Sequence, residues 1–312
     1  MTVSKNNRPD RVTLAITLIV LSVFLMSVQE TLFKLFSADL SLWQIFTLRG
    51  VLALPLIFVI FAVQGHRRSV WRSALSKWPL LRSLFMTLMF VAMYSAIPFL
   101  NLSTVAAGIY TAPVFVTLMS AYIIGEPVGP RGWVAIAMGF CGVLVILQPG
   151  ADAFSFWAIL PVFGGLMYAL SNVTTRSKCQ AVSPAALALS LNLTVLLAGV
   201  LISCLLMFWQ PANELTSSYP FLFASWSVLS ASEWGVILLL AGFTVALGMM
   251  VAAAYQSAPP STVATFDYSY LIFMVLWDIL FFSVALDGKT AIGILLIMSA
   301  GLLVMRRGSS PT

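Results

Sequence analysis

Ten apolar runs dominate this sequence, at about 12–36, 43–63, 80–99, 103–125, 131–148, 155–173, 185–208, 233–256, 261–284 and 288–305. Each is about long enough to cross a ~30 Å hydrocarbon core as a helix. Backbone groups cannot stay unpaired in lipid, so helices are the form these runs must take. Hydrophobic residues are 61% of the chain and charged residues 8%, against about 25% charge in a soluble protein. A chain so poor in charge cannot cover its own surface in water, and its solvent must be a bilayer. The first run is too long for a signal-peptide core and no small-residue cleavage site follows it, so it should stay as a span. Residues 1–10 and 308–312 are expected to be polar tails.

The basic residues set the orientation. Lys5, Arg8 and Arg11 precede span 1, and Arg67, Arg68, Arg72, Lys77 and Arg82 lie between or beside spans 2 and 3. Arg131 follows span 4, Arg176 and Lys178 follow span 6, and Arg306 and Arg307 end span 10. With ten spans all of these share one side, and the other side has only Lys289. Positive residues mark the cytoplasmic face, so both termini are expected there. The net charge of +6 is spread over short loops and forms no face of its own, which argues against a nucleic-acid partner. Trp43, Trp78, Trp133, Trp157, Trp209 and Trp234 fall near span ends, as an interfacial belt should. The segment 209–232 is expected either to lie on the membrane surface or to cap the bundle.

A repeat organises the spans. Ser103 opens STVAAGIYTAPVF, and the run closes with CGVLVI at Cys141 to Ile146; from Ser261 the chain reads STVATFDYSYLIF and later AGLLVM at Ala300 to Met305. The first pair is offset by 158 residues and the second by 159. In that register Tyr110 falls on Tyr268 and Phe115 on Phe273. The copies begin at spans 4 and 9, five apart, so they cross the membrane in opposite directions. An inverted repeat with a binding site at its interface is the architecture of secondary transporters.

The segment STVAAGIYTAPVFVTLMSAYIIGEP, followed by GWVAIAMGFCGVLVIL, resembles the end of an EamA domain, the five-helix unit of the drug/metabolite transporter superfamily. The LRG at Leu48 to Gly50 resembles that family's pattern too. The second copy has LFFSVALDG where the GEP turn would be, so no symmetric partner of Glu126 is claimed. The resemblance implies an all-α membrane protein with repeats at 11–150 and 151–307, moving a small organic metabolite through a central cavity. Amino acids, vitamins and nucleoside-like solutes are the classes it implies, in a bacterial inner membrane.

Ionisable residues inside spans cost several kcal/mol, so each needs a reason. Glu30 and Lys34 lie four apart on span 1, and Arg49 lies in the outer part of span 2. They form either a gating or substrate-contact cluster at the outer mouth, or a structural pair in which Lys34 reaches the interface. Asp267 lies about two turns into span 9, flanked by Tyr268 and Tyr270. Such a carboxylate is paired, protonated or facing a wet cavity, which suits proton coupling or an interhelical bond alike. Asp278 is nearer the interface and suits a structural role. Gln29, Tyr94, Tyr110, Tyr168, Asn172, Asn192 and Tyr255 are neutral polar residues within spans and candidates for a cavity lining. Pro98, Pro113, Pro161, Gly164 and Gly165 are candidate flex points.

Other classes are disfavoured. His66 is the only histidine, and no HExxH, GxSxG or GxxxxGK[ST] appears, which argues against a membrane enzyme and an ATP-driven pump. No charged ring or filter-like glycine run suggests a channel. Cys141, Cys179 and Cys204 lack disulfide or metal spacing. The expected partners are a small-molecule substrate, lipid and coupled protons, with no cofactor and no metal; a homodimer is left open. Aromatic and neutral polar candidates outnumber acidic ones, favouring zwitterionic or heteroaromatic solutes.

Overall fold

The computed structural model describes residues 11–36, 40–64, 67–96, 108–125, 128–147, 157, 159–209, 211–282 and 288–305. The described residues form helices and their connections, with no strand among them. The membrane-length helices are α1 (Val12–Phe36), α2 (Leu42–Gln64), α4 (Lys77–Ala96), α8 (Pro184–Trp209) and α11 (Ala231–Ser257), with the short α3 (Arg67–Ala74) joining α2 to α4. These five are long and apolar enough to span. Shorter helices complete the bundle: α5 (Ala112–Met119), α6 (Pro130–Leu147), α7 (Ile159–Lys178), α12 (Pro260–Asp267), α13 (Ser269–Phe282) and α14 (Gly288–Met305). Two small helices, α9 (Asn213–Ser218) and α10 (Pro220–Phe223), lie between α8 and α11.

Local chemistry sets the boundaries. Prolines open α6, α8, α10 and α12, where the missing N–H is no loss. A capping box starts α11: the Glu233 N–H donates to Ser230 Oγ, and Ser230 N–H donates to Glu233 Oε2 at 2.6 Å. A π-helical turn at Ser120–Ile124 follows α5 and ends at Gly125, whose φ of 75° favours glycine.

Two expectations change and one open alternative is decided. Span 6 is expected at 155–173, but α7 runs on through Arg176 and Lys178 and ends in the turn that begins at Cys179, before Pro184 opens α8. Span 9 is two helices, broken at Tyr268. Its repeat-register counterpart, Tyr110, also sits in a turn, directly before α5. The segment 209–232 caps one end of the bundle. Trp43 Nε1 donates to the Leu222 carbonyl at 2.9 Å, and the Gln44 amide exchanges two hydrogen bonds with the Ser227 backbone. Leu222 is buried against Trp43, Phe46 and Tyr94.

Packing is pairwise. The helix α1 lies against α11, α12 and α13; α4 against α7 and α8; α2 against α8 and α11; α5 against α7 and α12; and α6 against α14. Long and short helices alike carry large apolar residues outward, such as Leu201 and Leu205 on α8, Leu280 on α13, and Leu295 and Leu302 on α14, as a hydrocarbon solvent permits.

Gly139 on α6 lets the helix meet the Tyr268 ring at the break in span 9; a Cβ there would fall inside the ring. The change Gly139→Ala should cost about 1–3 kcal/mol of stability, read as a lower melting temperature of the purified protein. The penalty should shrink when Tyr268→Ala is added. A single variant melting like the wild type would refute the contact.

Candidate functional site

A cavity opens between the helices, with about 1130 Å³ of empty space, mouth included. Its walls come from α1, α2, α4, α7, α8, α11, α12, α13 and the Ile109 to Pro113 stretch entering α5. The α6–α14 pair stands behind and contributes nothing to the lining.

Asp267 is the last residue of α12, placed at the cavity wall by the break that follows it. It is 6% exposed, and its Oδ2 accepts from the Tyr255 hydroxyl at 2.7 Å and the Tyr168 hydroxyl at 3.2 Å. The two phenols come from α11 and α7, so one carboxyl ties three helices together. The rings of Tyr168 and Tyr255 meet edge to face, with centroids 6.4 Å apart.

A second cluster is aromatic. Tyr110 faces Tyr270 at 5.6 Å and Tyr268 at 6.3 Å between centroids. At the capped end, Tyr94 packs on Phe46, Phe90 and Phe221, and the Arg49 guanidinium lies 5.3 Å over the Phe46 ring. Arg49, Tyr94, Tyr110, Tyr168, Asp267 and Tyr270 therefore line the cavity together with Gln29. Four candidates do not, and one of them, Asn172, is wholly buried away from the lining. Asn192 donates to the Gly50 carbonyl at 2.9 Å, fastening α8 to α2. Tyr255 stands behind Asp267, and Tyr268 is wedged against α6. Glu30, Lys34 and Asp278 are on α1 and α13, but their side chains lie outside the described residues.

Sequence reasoning missed two features. Arg82 was assigned to the basic loop side, yet it is 0% exposed on α4 and lines the cavity. Its apolar neighbours Leu80, Leu81, Leu84 and Phe85 were the available signal. Met86, Met89 and Met93, spaced three and four apart on α4, form a flexible apolar wall with Met26.

The EamA-like transporter family matches residues 13–148, which is α1 through α6. Those residues are thus similar to an EamA-like transporter domain. The chain is 32% identical over 200 residues to a riboflavin transporter of Rhizobium johnstonii, covering 64% of this chain and 60% of that protein's length. It is 25% identical over 295 residues to the pseudopaline exporter CntI of Pseudomonas aeruginosa, covering 93% of this chain and 95% of that one. A crystal structure superposes with a TM-score of 0.76 at 16% identity, over 96% of this chain and 100% of the other, a likeness of fold alone. These names are those of transporters, and with the apolar helices they make the chain an integral multi-pass membrane protein.

The Asp267–Tyr255 bond predicts non-additive stability. Tyr255→Phe and Asp267→Asn should each lower the melting temperature, with a coupling of about 1–2 kcal/mol in a double-mutant cycle. A coupling near zero would mean that the bond does not form.

Proposed function

We propose that the chain is a secondary transporter that carries a small organic metabolite by alternating access of two inverted five-helix halves, 11–150 and 151–307. In this reading ten spans cross a bacterial inner membrane, both termini are cytoplasmic, and protons drive the cycle through Asp267. The observation that carries the reading is a cavity walled by helices from both halves, with polar groups at its surface and no direct wall from α6 or α14.

The helix pairs support the inverted repeat. Exchanging each span with the one five places along turns α4–α7 into α11–α1, α5–α7 into α12–α1, and α4–α8 into α11–α2. The pairs α2–α8, α6–α14 and α5–α12 map onto themselves. All of these contacts are present, and both helix breaks fall at register-paired tyrosines. Two halves related this way can exchange conformations and open the cavity to each side in turn. A vitamin such as a flavin is the first solute to try, because of the relatives' names; amino acids and nucleosides follow.

Purified protein in liposomes should show saturable uptake or counterflow of at least one solute in such a panel, steepened by a pH gradient. Ohmic flux would make it a channel, and a chemical product would make it an enzyme. Asp267→Asn should abolish the response to the pH gradient while leaving exchange intact. Unchanged pH dependence in a folded variant would reject the coupling role.

A further inference from the structure

Arg82 is the cavity residue that the reading above leaves unused. It lies between Leu81 and Ser83 on α4, wholly buried. Its Nε donates to Thr175 Oγ1 at 3.2 Å, and Ser171 Oγ donates to its backbone carbonyl at 3.0 Å. Both contacts come from α7; the one to Thr175 holds the guanidinium, and the one to Ser171 ties the backbone of α4 to that helix. The two terminal nitrogens, NH1 and NH2, are buried and have no hydrogen-bond partner among the described residues.

That arrangement is costly unless something completes it. A buried charge with unsatisfied donors is among the least favourable groups a protein can hold. A snorkelling arginine would show its head to water, and this one shows none. Asp267 is the one carboxylate among the described residues lining the cavity, and its oxygens already accept from Tyr168 and Tyr255. Cys179 packs nearby, and burial pushes its thiol up to about 11, so it supplies no counter-charge near neutral pH. Arg49 adds a second cation to the cavity lining, at the end where Tyr94 stands.

Resting on the transporter reading, we infer that Arg82 is a substrate-binding residue that receives an anionic oxygen group, carboxylate or phosphate, of an amphipathic solute. With Nε engaged by Thr175, NH1 and NH2 remain as the end-on fork that matches two oxygens of one anion. From that pole the cavity continues along Met86, Met89 and Phe90 towards Tyr94. An apolar or aromatic body fits that wall, and thioethers adapt to its shape. The solute is therefore one with an anionic head and a flat apolar body, and the two arginines disfavour cations.

The test starts with the wild-type protein in lipid nanodiscs at constant ionic strength. Benzoate, phenyl phosphate and neutral benzamide are titrated against the melting temperature. The two anions should raise it saturably and benzamide should not; the tighter of the two identifies carboxylate or phosphate as the head. Arg82→Gln should weaken the anions by about tenfold or more, and Arg82→Lys by less, since an ammonium keeps charge without the fork. Equal shifts from benzamide and the anions in the wild type would overturn the assignment even if neither variant folds. So would anion binding in Arg82→Gln as tight as in the wild type. Liposome uptake of riboflavin and of riboflavin 5′-phosphate separates the two claims. Uptake indifferent to Arg82→Gln and to the phosphate leaves transport standing and removes the anion site. Anion binding that depends on Arg82, without saturable uptake of any solute, removes transport and leaves the site.

Discussion

A helix that breaks inside hydrocarbon frees backbone groups that lipid cannot satisfy, so a break survives only where protein surrounds it. Among the described residues helical structure stops and restarts at two points, at Tyr110–Thr111 and at Tyr268. Both are buried in one cluster with Val143, Tyr270, Leu271 and Ile297. Thr111 recovers part of the freed backbone by donating twice, through N–H and Oγ1, to the Gly108 carbonyl, and Leu271 N–H reaches the Tyr268 carbonyl at 3.2 Å. The cavity depends on these bends. They turn Tyr110 and Tyr270 towards it, and they end α12 at Asp267 so that the carboxyl stands at its wall. The close approach of Gly139 to Tyr268 shows how α6 closes over the break from behind.

Within that frame the charges divide into one that is satisfied and one that is not. Asp267 accepts from two phenols, a bond set that serves either protonation state, since a phenol donates to a carboxylate and also to the carbonyl oxygen of a neutral acid. Such a group can change charge without the helices around it coming apart. Arg82 cannot shed its proton at ordinary pH, so its demand for acceptors is permanent. On the proposed mechanism the same cavity thus holds one switchable negative group and two fixed positive ones, Arg49 and Arg82, carried by different helices.

The sequence made the helical, lipid-embedded class legible because hydrocarbon length and the lack of charge leave no other option. It also marked Arg49, Tyr94, Tyr110, Tyr168, Asp267 and Tyr270, all of which meet at one cavity, since polar groups within apolar runs must point inward. The break in span 9 was hidden because ATFDYSYLIF contains neither glycine nor proline; the bend comes from tertiary packing against α6. Arg82 was misplaced because an arginine two residues from an estimated span edge looks like a topology signal. Only the length of α4, which begins at Lys77, puts it well inside the protein. Asn192 and Tyr255 were chosen by polarity alone, and polarity does not tell a residue that faces a ligand from one that fastens a neighbour.

On the proposed inverted repeat many helix pairs have a counterpart, but the chemistry they carry does not. At equivalent places in the register, Ile109 stands opposite Asp267 and Ala112 opposite Tyr270, and all four line the cavity. The second half supplies the carboxyl and both of its phenols, whereas the first supplies the arginines, the methionine wall and most of the aromatic end. An architecture repeated for movement is under no obligation to repeat its ligands. On the proposed mechanism, recognition of a solute belongs chiefly to α2 and α4, and proton coupling to α7, α11 and α12. Tyr168 is where the two meet: it bonds Asp267, lines the cavity and lies two turns from the Thr175 that orients Arg82. A solute anchored at Arg82 would therefore press on α7, whose Tyr168 bonds the Asp267 carboxyl of α12. That shared helix is the shortest physical route by which binding at one group could be felt at the other.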